Sequence, residues 1–378
     1  MLGISILTAI AARGLVATTR APAVRTISYR ESTYSAAVVP AARQGSPPIV
    51  LLPPIGVGID RTFCGRFLEA WAADDSAGSE LHAIDPIGVG DSGPKPKMRR
   101  RLKGGWAQPP RTPVEWAEQV VAYVEQEVGE PCIIIGQSNL CTVALEAARI
   151  GGEAVRGVVL VGPPAVEALS LDKSPEAIQK VWRIVGSPIG AALFRFARRK
   201  PFLESFSKKN LFADPSQVDA AYLETCAAGA ADADSRHAVF SFVAGTWRRD
   251  YTPLLSSLSL PTLIVSGRDV GAGAADGAGV GKPEAKEVDK TSFGGLVAWF
   301  KTRGKGDNES GRFAQVGRDL GLDPERKLRD FVEAMPTAQA AGTVETSLLP
   351  GWNVLVYESP AELATCVADF VQRRFSSV

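Results

Sequence analysis

Histidine is almost absent from this chain: its 378 residues include two, His82 and His237. Imidazole is the side chain that titrates near neutral pH, so proton transfer by histidine has two positions to draw on. Cysteine is scarce as well. Cys64, Cys132, Cys141, Cys226 and Cys366 are scattered, with no C-x-x-C pair. That argues against a disulfide framework or a zinc site and for reduced thiols in an intracellular or organellar compartment. No apolar run approaches the ~20 residues of a transmembrane helix. Neither charge sign dominates: 42 Lys and Arg face 41 Asp and Glu, a formal net charge of +1. The balance leaves no global electrostatic case for nucleic acid or a membrane. No metal-ligand spacing, phosphate loop or dinucleotide fingerprint occurs. The run GAGAADG from Gly271 lacks the strand–turn–helix context that would make it one. No cofactor and no metal are expected.

Acidic residues are missing up to Arg30, while Arg13, Arg20, Arg25 and Arg30 are spread through Ala, Thr, Ser and small apolar residues. This composition fits an organellar transit peptide over residues 1–25, with the plastid as the expected address and the mitochondrion as the alternative. An unstructured extension without an address is the plain alternative.

What the chain does have is apolar content, 45% of residues, arranged in short runs that alternate with amphipathic helical patterns. Thr26–Ala41 reads as one or two strands with Ile27, Tyr29, Ala37 and Val39 inward. Strands are expected at Pro47–Leu52, Glu80–Ile84, Cys132–Ile135, Val155–Val161 and Pro261–Ser266. Helices are expected at Thr62–Ala73, Thr112–Val128 and Asn139–Ile150. The apolar run Asn353–Tyr357 and a helix over Pro360–Phe375 close the chain. The alternation predicts an α/β fold with a mostly parallel central sheet covered by helices on both faces. Residues 26–164 and 259–378 form its two parts. Two stretches interrupt the pattern. Residues 165–258 read as an inserted helical cap. Residues 271–342 open on a Gly/Ala-rich run and read as a flexible insertion, with helices possible at Thr291–Thr302 and Asp323–Ala334. The basic run Lys95–Lys103 reads as a solvated loop.

The segment CIIIGQSNLCTVALEAA, from Cys132 to Ala148, places Ser138 between an apolar strand and a helix. A sharp turn there strains its central residue and projects the side chain at the top of the sheet. Gly136 supplies one of the small neighbours that such a turn needs; Leu140 does not supply the other. The alternative is an ordinary strand–helix turn with a serine N-cap.

Further landmarks accompany this turn. Pro53-Pro54-Ile55-Gly56-Val57-Gly58 follows the strand IVLL. Asp85-Pro86-Ile87-Gly88-Val89-Gly90-Asp91-Ser92 has the form D-x-x-G-x-G-x-S. Ser266-Gly267-Arg268-Asp269 ends a strand, and Gly351-Trp352-Asn353 precedes Tyr357-Glu358-Ser359-Pro360. In this order they resemble the α/β-hydrolase superfamily across nearly all of Thr26–Val378. The resemblance implies Ser138 as nucleophile, Asp269 as triad acid, and the N–H groups of Ile55 and Asn139 as an oxyanion hole. It also places Asn353 where the family has its catalytic histidine, and Pro53-Pro54 where it has His-Gly. The loop PPIGVGIDR, the cap sequence FARRKPFLESFSKKNLF and the ending NVLVYESP resemble a plant, algal and cyanobacterial branch in which triad residues are often lost.

An amide does not titrate and cannot take the serine proton. His82 lies on a strand below the catalytic edge and reads as a core residue. His237 lies in the cap and is the one candidate substitute base. Two functions stay open: a serine hydrolase of ester or acyl substrates with an incomplete triad, and a non-catalytic fold that binds a small apolar ligand or a protein. In the cap, Arg195, Arg198, Arg199, Lys200, Lys208 and Lys209 cluster among Phe194, Phe196, Phe202 and Phe206. A helix pair with its aromatic side inward is the preferred reading, ahead of contact with an anionic lipid surface or an acidic partner.

Overall fold

Eight strands form one sheet in the order β1-β2-β4-β3-β5-β6-β7-β8. The computed structural model describes residues 20–29, 32–43, 45–74, 76–95, 108–269 and 323–375. The strands are β1 (Ala23–Tyr29), β2 (Ser32–Val39), β3 (Ile49–Leu52), β4 (Leu81–Ile84), β5 (Cys132–Gln137), β6 (Val155–Val161), β7 (Thr262–Gly267) and β8 (Val344–Leu349). Pairing is parallel from β4 through β8 and antiparallel for β1–β2 and β2–β4. This is the α/β sheet that the alternation predicts.

Period-2 geometry divides each central strand between two cores. Val50, Ile134, Leu160 and Ile264 face one side. There they meet Trp116 and Val120 of α2 (Pro113–Tyr123) and Val143 and Ala147 of α3 (Cys141–Ile150). Leu51, Ile133, Val159 and Val265 face the other side. They meet Phe67 and Trp71 of α1 (Gly65–Ala73) and residues of the C-terminal helix (Pro360–Phe375), including Val367 and Phe370. Burial on both faces explains why these strands read as continuous apolar runs.

Between β6 and β7 the chain is helical. The helices are α4 (Val166–Leu169), α5 (Pro175–Val185), α6 (Pro188–Ala197), α7 (Lys200–Asn210), α8 (Ala220–Gly229), α9 (Arg236–Ala244) and α10 (Thr252–Ser257). Trp182, Val185, Phe194, Val239, Phe240 and Ala244 give this region a small core of its own. After it come α11 (Pro324–Ala334), α12 (Pro336–Ala340), α13 (Leu355–Glu358) and α14 (Pro360–Phe375).

Two boundaries differ from the sequence reading. The last strand is β8, Val344–Leu349, whereas the apolar run at 353–357 leads into a short helix, Leu355–Glu358. An edge strand buries little, so β8 lacks the apolar run that marks its neighbours. The folded part also starts before Arg25. β1 begins at Ala23, and the Arg20 guanidinium donates to the carbonyls of Trp71, Asp74 and Ala77 at 2.7–2.9 Å. At Trp71 it satisfies a carbonyl in the last turn of α1, which has no partner inside the helix. The expected helix at Thr291–Thr302, most of the basic run after Lys95, the glycine-rich run and the side chains of Ile27 and Tyr29 lie outside the described residues.

Candidate active site

The chain leaves β3 toward β4 on one side of the sheet and returns to β5 on the other. The gap between β3 and β5 is therefore the topological switch point, where ligands bind in open α/β sheets. The Ile55 loop follows β3 and Ser138 follows β5, so the two flank this point.

Ser138 has φ +57°, alone among the described non-glycine residues in the left-handed region. Such a conformation costs about 1–3 kcal/mol and persists where the surroundings enforce it. The enforcement is visible. A Cβ on Gly136 would stand 2.6 Å from the Leu140 carbonyl oxygen and 2.8 Å from the Cys141 Cα. The turn closes on the Gly136 side, so Leu140 is free to bury its side chain in the core. The Cys141 thiol donates to the Gly136 carbonyl at 3.0 Å, and burial pushes its pKa far up, the mark of a structural thiol. Ser138 itself is half-buried, and among the described residues no side chain accepts its proton.

Asn139 stands in the first turn of the elbow helix, where N–H groups lack acceptors inside the helix. Among the described residues the Ile55 N–H also has no backbone acceptor. Both donors are free to serve a ligand oxygen.

Three tethers gather the loop 351–354 beside the elbow. The Gln137 side-chain amide donates to the Asn353 carbonyl at 2.8 Å and to the Val161 carbonyl at 3.1 Å. Asp269 Oδ2, at the tip of β7, accepts from the Gly351 N–H at 2.6 Å. Glu358 accepts from the N–H groups of Trp352 at 2.9 Å and Ala213 at 2.6 Å, tying the loop to the cap; burial raises its pKa. Asp269 is exposed and Asn353 half-buried. The Asn353 side-chain amide donates to the Asn210 carbonyl at 3.1 Å, at the end of α7. The structure thus brings the backbones around Ser138, Asp269 and Asn353 to the same edge, with no side-chain relay among the three.

Neither histidine is bonded to Ser138. His82 is buried on β4, with Nδ1 2.8 Å from the Tyr123 hydroxyl and Nε2 2.6 Å from Glu80. His237, the candidate substitute base, is 1% exposed on α9. Its Nε2 lies 3.0 Å from the Pro109 carbonyl and its ring packs edge-on to Trp182, with centroids 5.1 Å apart. Nδ1 has no partner among the described residues. Burial, aided by the nearby Arg111 cation, lowers its pKa to about 4. The ring is held by the cap and the Pro109 loop.

Sequence reasoning missed the roles of Gln137 and Arg61, and it read Glu358 as a landmark without its part in holding the loop. Arg61 lies just past the Ile55 loop and is 6% exposed. Its guanidinium pairs with Asp85, itself fully buried, and with Asp91 at 2.8 Å. Its N–H donates to Asp85 Oδ1 at 2.7 Å. The pair locks the loop after β3 to the loop after β4. Burial raises the Asp85 pKa to about 6 against the pull of Arg61. A Cβ on Gly90 would overlap the Asp85 carboxylate, which is the physical reason for glycine in that motif. Lys327 lies on α11. Burial lowers its pKa to about 8, and no hydrogen bond links it to Ser138. Among the described residues no group of three His, Cys, Asp or Glu is placed to hold a metal.

No family model matches the chain, and no curated protein does. Solved structures do. A serine hydrolase involved in carbazole degradation superposes with TM-score 0.59 at 13% identity, covering 94% of this chain and 100% of its own. The chain has the α/β-hydrolase fold. A thermophilic esterase from Thermogutta terrifontis follows at TM-score 0.56 and 14% identity, with 94% and 99% coverage. The thioesterase domain of the curacin biosynthetic pathway follows at 0.55 and 13%, with 92% and 99%. Ser138 directly follows β5 and Asp269 follows β7.

Proposed function

We propose that this α/β-hydrolase-fold chain is a slow serine hydrolase of ester or acyl substrates. Ser138 is the nucleophile, and the N–H groups of Ile55 and Asn139 bind the developing oxyanion. Asp269 orders the 351–354 loop through Gly351. The observation that carries this reading is the left-handed backbone of Ser138. A serine in an ordinary turn has no reason to hold that strain, whereas a nucleophile that must clear the sheet does. Water takes the serine proton in place of imidazole. Loss of the base from such a machinery costs on the order of 10⁶ in turnover and leaves about 10³–10⁴ over water from binding and the oxyanion hole. The sequence likeness to the plant, algal and cyanobacterial branch, where triads are often lost, supports a residual rather than an efficient enzyme.

A second reading is a non-catalytic protein that binds a small apolar ligand or a protein partner at the same edge. It is favoured by the Asn353 amide, which is committed to the Asn210 carbonyl.

Labelling with a fluorophosphonate probe separates the two. Slow labelling that disappears in Ser138→Ala supports the hydrolase. No labelling of the natural protein on long exposure contradicts it and leaves the binding protein.

A further inference from the structure

β8 is the last strand of the sheet, and among the described residues it pairs with β7 alone. The parallel register fixes which of its backbone groups β7 uses. The Thr262 N–H donates to the Thr343 carbonyl at 2.8 Å and the Arg268 N–H to the Leu349 carbonyl at 2.7 Å. The odd-numbered residues therefore turn their amides toward β7. Strand geometry sends the amides of Val344, Thr346 and Leu348 the opposite way, along the outer edge. Thr346, at the centre of that edge, is exposed. An open groove runs along each side of it. Leu328, Val332 and Leu348 help line one, and Thr365, Cys366 and Asp369 the other, with volumes of about 580 and 590 Å³. The helices α11 and α14 thus stand back from the strand and leave it accessible. Such an edge is a template for another strand.

The residues along the edge select a strand like itself. Antiparallel pairing about a two-fold axis normal to the sheet keeps each face continuous, so residues opposite each other must share a face. The axis must then pass through a residue. With the axis at Thr346, Val344 lies opposite Leu348 and Thr346 opposite its own copy. These are the hydrogen-bonded positions, and every outward N–H and C=O of the three residues finds a partner. Val344 and Leu348 both pack toward the core on the α11 face. Across the joint they form apolar pairs on either side of a threonine pair, combinations that favour antiparallel strands. Glu345 falls opposite Ser347 and is already held by Arg373 at 2.7 Å and Arg374 at 2.5 Å of its own chain. An axis at Glu345 would set two carboxylates face to face. An axis at Ser347 would set Val344 opposite Pro350, which has no N–H to give. One register alone satisfies both charge and hydrogen bonding.

We propose that β8 pairs antiparallel with β8 of a second copy of this chain, with Thr346 on the two-fold axis. The two sheets become one continuous sheet. The contact uses the same surface on both copies, so it closes at a dimer. The pairing is independent of the Ser138 assignment. It is joined to the candidate site all the same: β8 ends at Leu349, two residues before the Gly351 N–H that Asp269 holds.

The test is the mass of the full chain by sedimentation equilibrium over a concentration series, beside Thr346→Pro and Thr346→Lys. The natural protein is expected to pass from one chain to two as concentration rises, and no further. Thr346→Pro removes both hydrogen bonds at the axis without touching a bond to β7, and is expected to weaken association roughly tenfold or more. Thr346→Lys sets two cations across the axis and is expected to weaken it about fivefold, with salt restoring part of the loss. Thermal unfolding matching that of the natural protein checks that each variant is folded, and the lysine variant decides the matter if the proline variant is not. A natural protein that stays at one chain overturns the proposal. So does an assembly that grows beyond two, as pairing of β8 with β1 at the other sheet edge would produce. A dimer that the folded variants form as well as the natural protein, at any salt, overturns it too.

Discussion

The side-chain amide of Gln137, one residue before the elbow, donates to the backbone carbonyl of Asn353 at 2.8 Å. Position 353 is therefore held against the turn at Ser138 by a direct bond. The loop is further fixed by Asp269 on Gly351 and Glu358 on Trp352.

Strain at Ser138 makes a prediction about stability. Glycine adopts φ +57° without steric cost, and alanine does not. Ser138→Gly should be more stable than Ser138→Ala by about 0.5–1 kcal/mol, while both lose covalent labelling. Urea unfolding of the two variants measures this. Equal stabilities would mean that the turn relaxes once the hydroxyl is gone.

The buried pair of Arg61 and Asp85 should respond asymmetrically. Arg61→Met leaves a carboxylate inside the protein without its cation and is expected to cost about 3–5 kcal/mol. Arg61→Met/Asp85→Leu removes both charges and should recover a large part of that loss. Denaturant midpoints of the single and double variants decide it. A double variant no more stable than the single would show that hydrogen bonding of the two loops, rather than charge pairing, dominates.

His237 predicts a pH dependence with a definite sign. Its native pKa of about 4 lies below the ordinary 6.5. Below pH 6.5 the unfolded chain takes up a proton that the native protein refuses until about pH 4. The contribution of the neutral ring is present above pH 6.5 and is lost as pH falls toward 4, by ~3 kcal/mol in all. His237→Gln keeps a donor for Pro109 but does not titrate. The stability of the natural protein relative to this variant should therefore decline across that window and stay flat above it. A flat difference throughout contradicts the buried, neutral ring.

The acid-free, arginine-bearing start predicts import. A fluorescent protein carrying residues 1–25 is expected to accumulate in plastids of a plant cell, with mitochondria as the other address. Diffuse fluorescence would reduce the segment to an extension without an address.

Much of the fold was legible because the central strands are buried on both faces. Runs such as IVLL, CIII and VVLV have no other use in a chain of this length. The edge strand β8 was not legible: Glu345 and Thr346 break the apolar pattern, and Glu345 pairs with Arg373 and Arg374 instead of joining the core. The site divides in the same way. Ser138 could be read because the strand, the glycine and the helix are contiguous. Arg61 and Gln137 could not, because their partners lie 24 and 216 residues away and no local pattern announces them. The inward Phe194 and the exposed Phe206 have similar sequence surroundings, and packing alone sorts them.

The most direct test is the rate of p-nitrophenyl ester hydrolysis by Asn353→His beside the natural protein, with Ser138→Ala in each background. An imidazole at position 353 is expected to raise the rate by about 10²-fold or more, with the whole gain lost when Ser138 is removed. An unchanged rate in the folded variant, or a gain that survives Ser138→Ala, would contradict a poised nucleophile lacking its base.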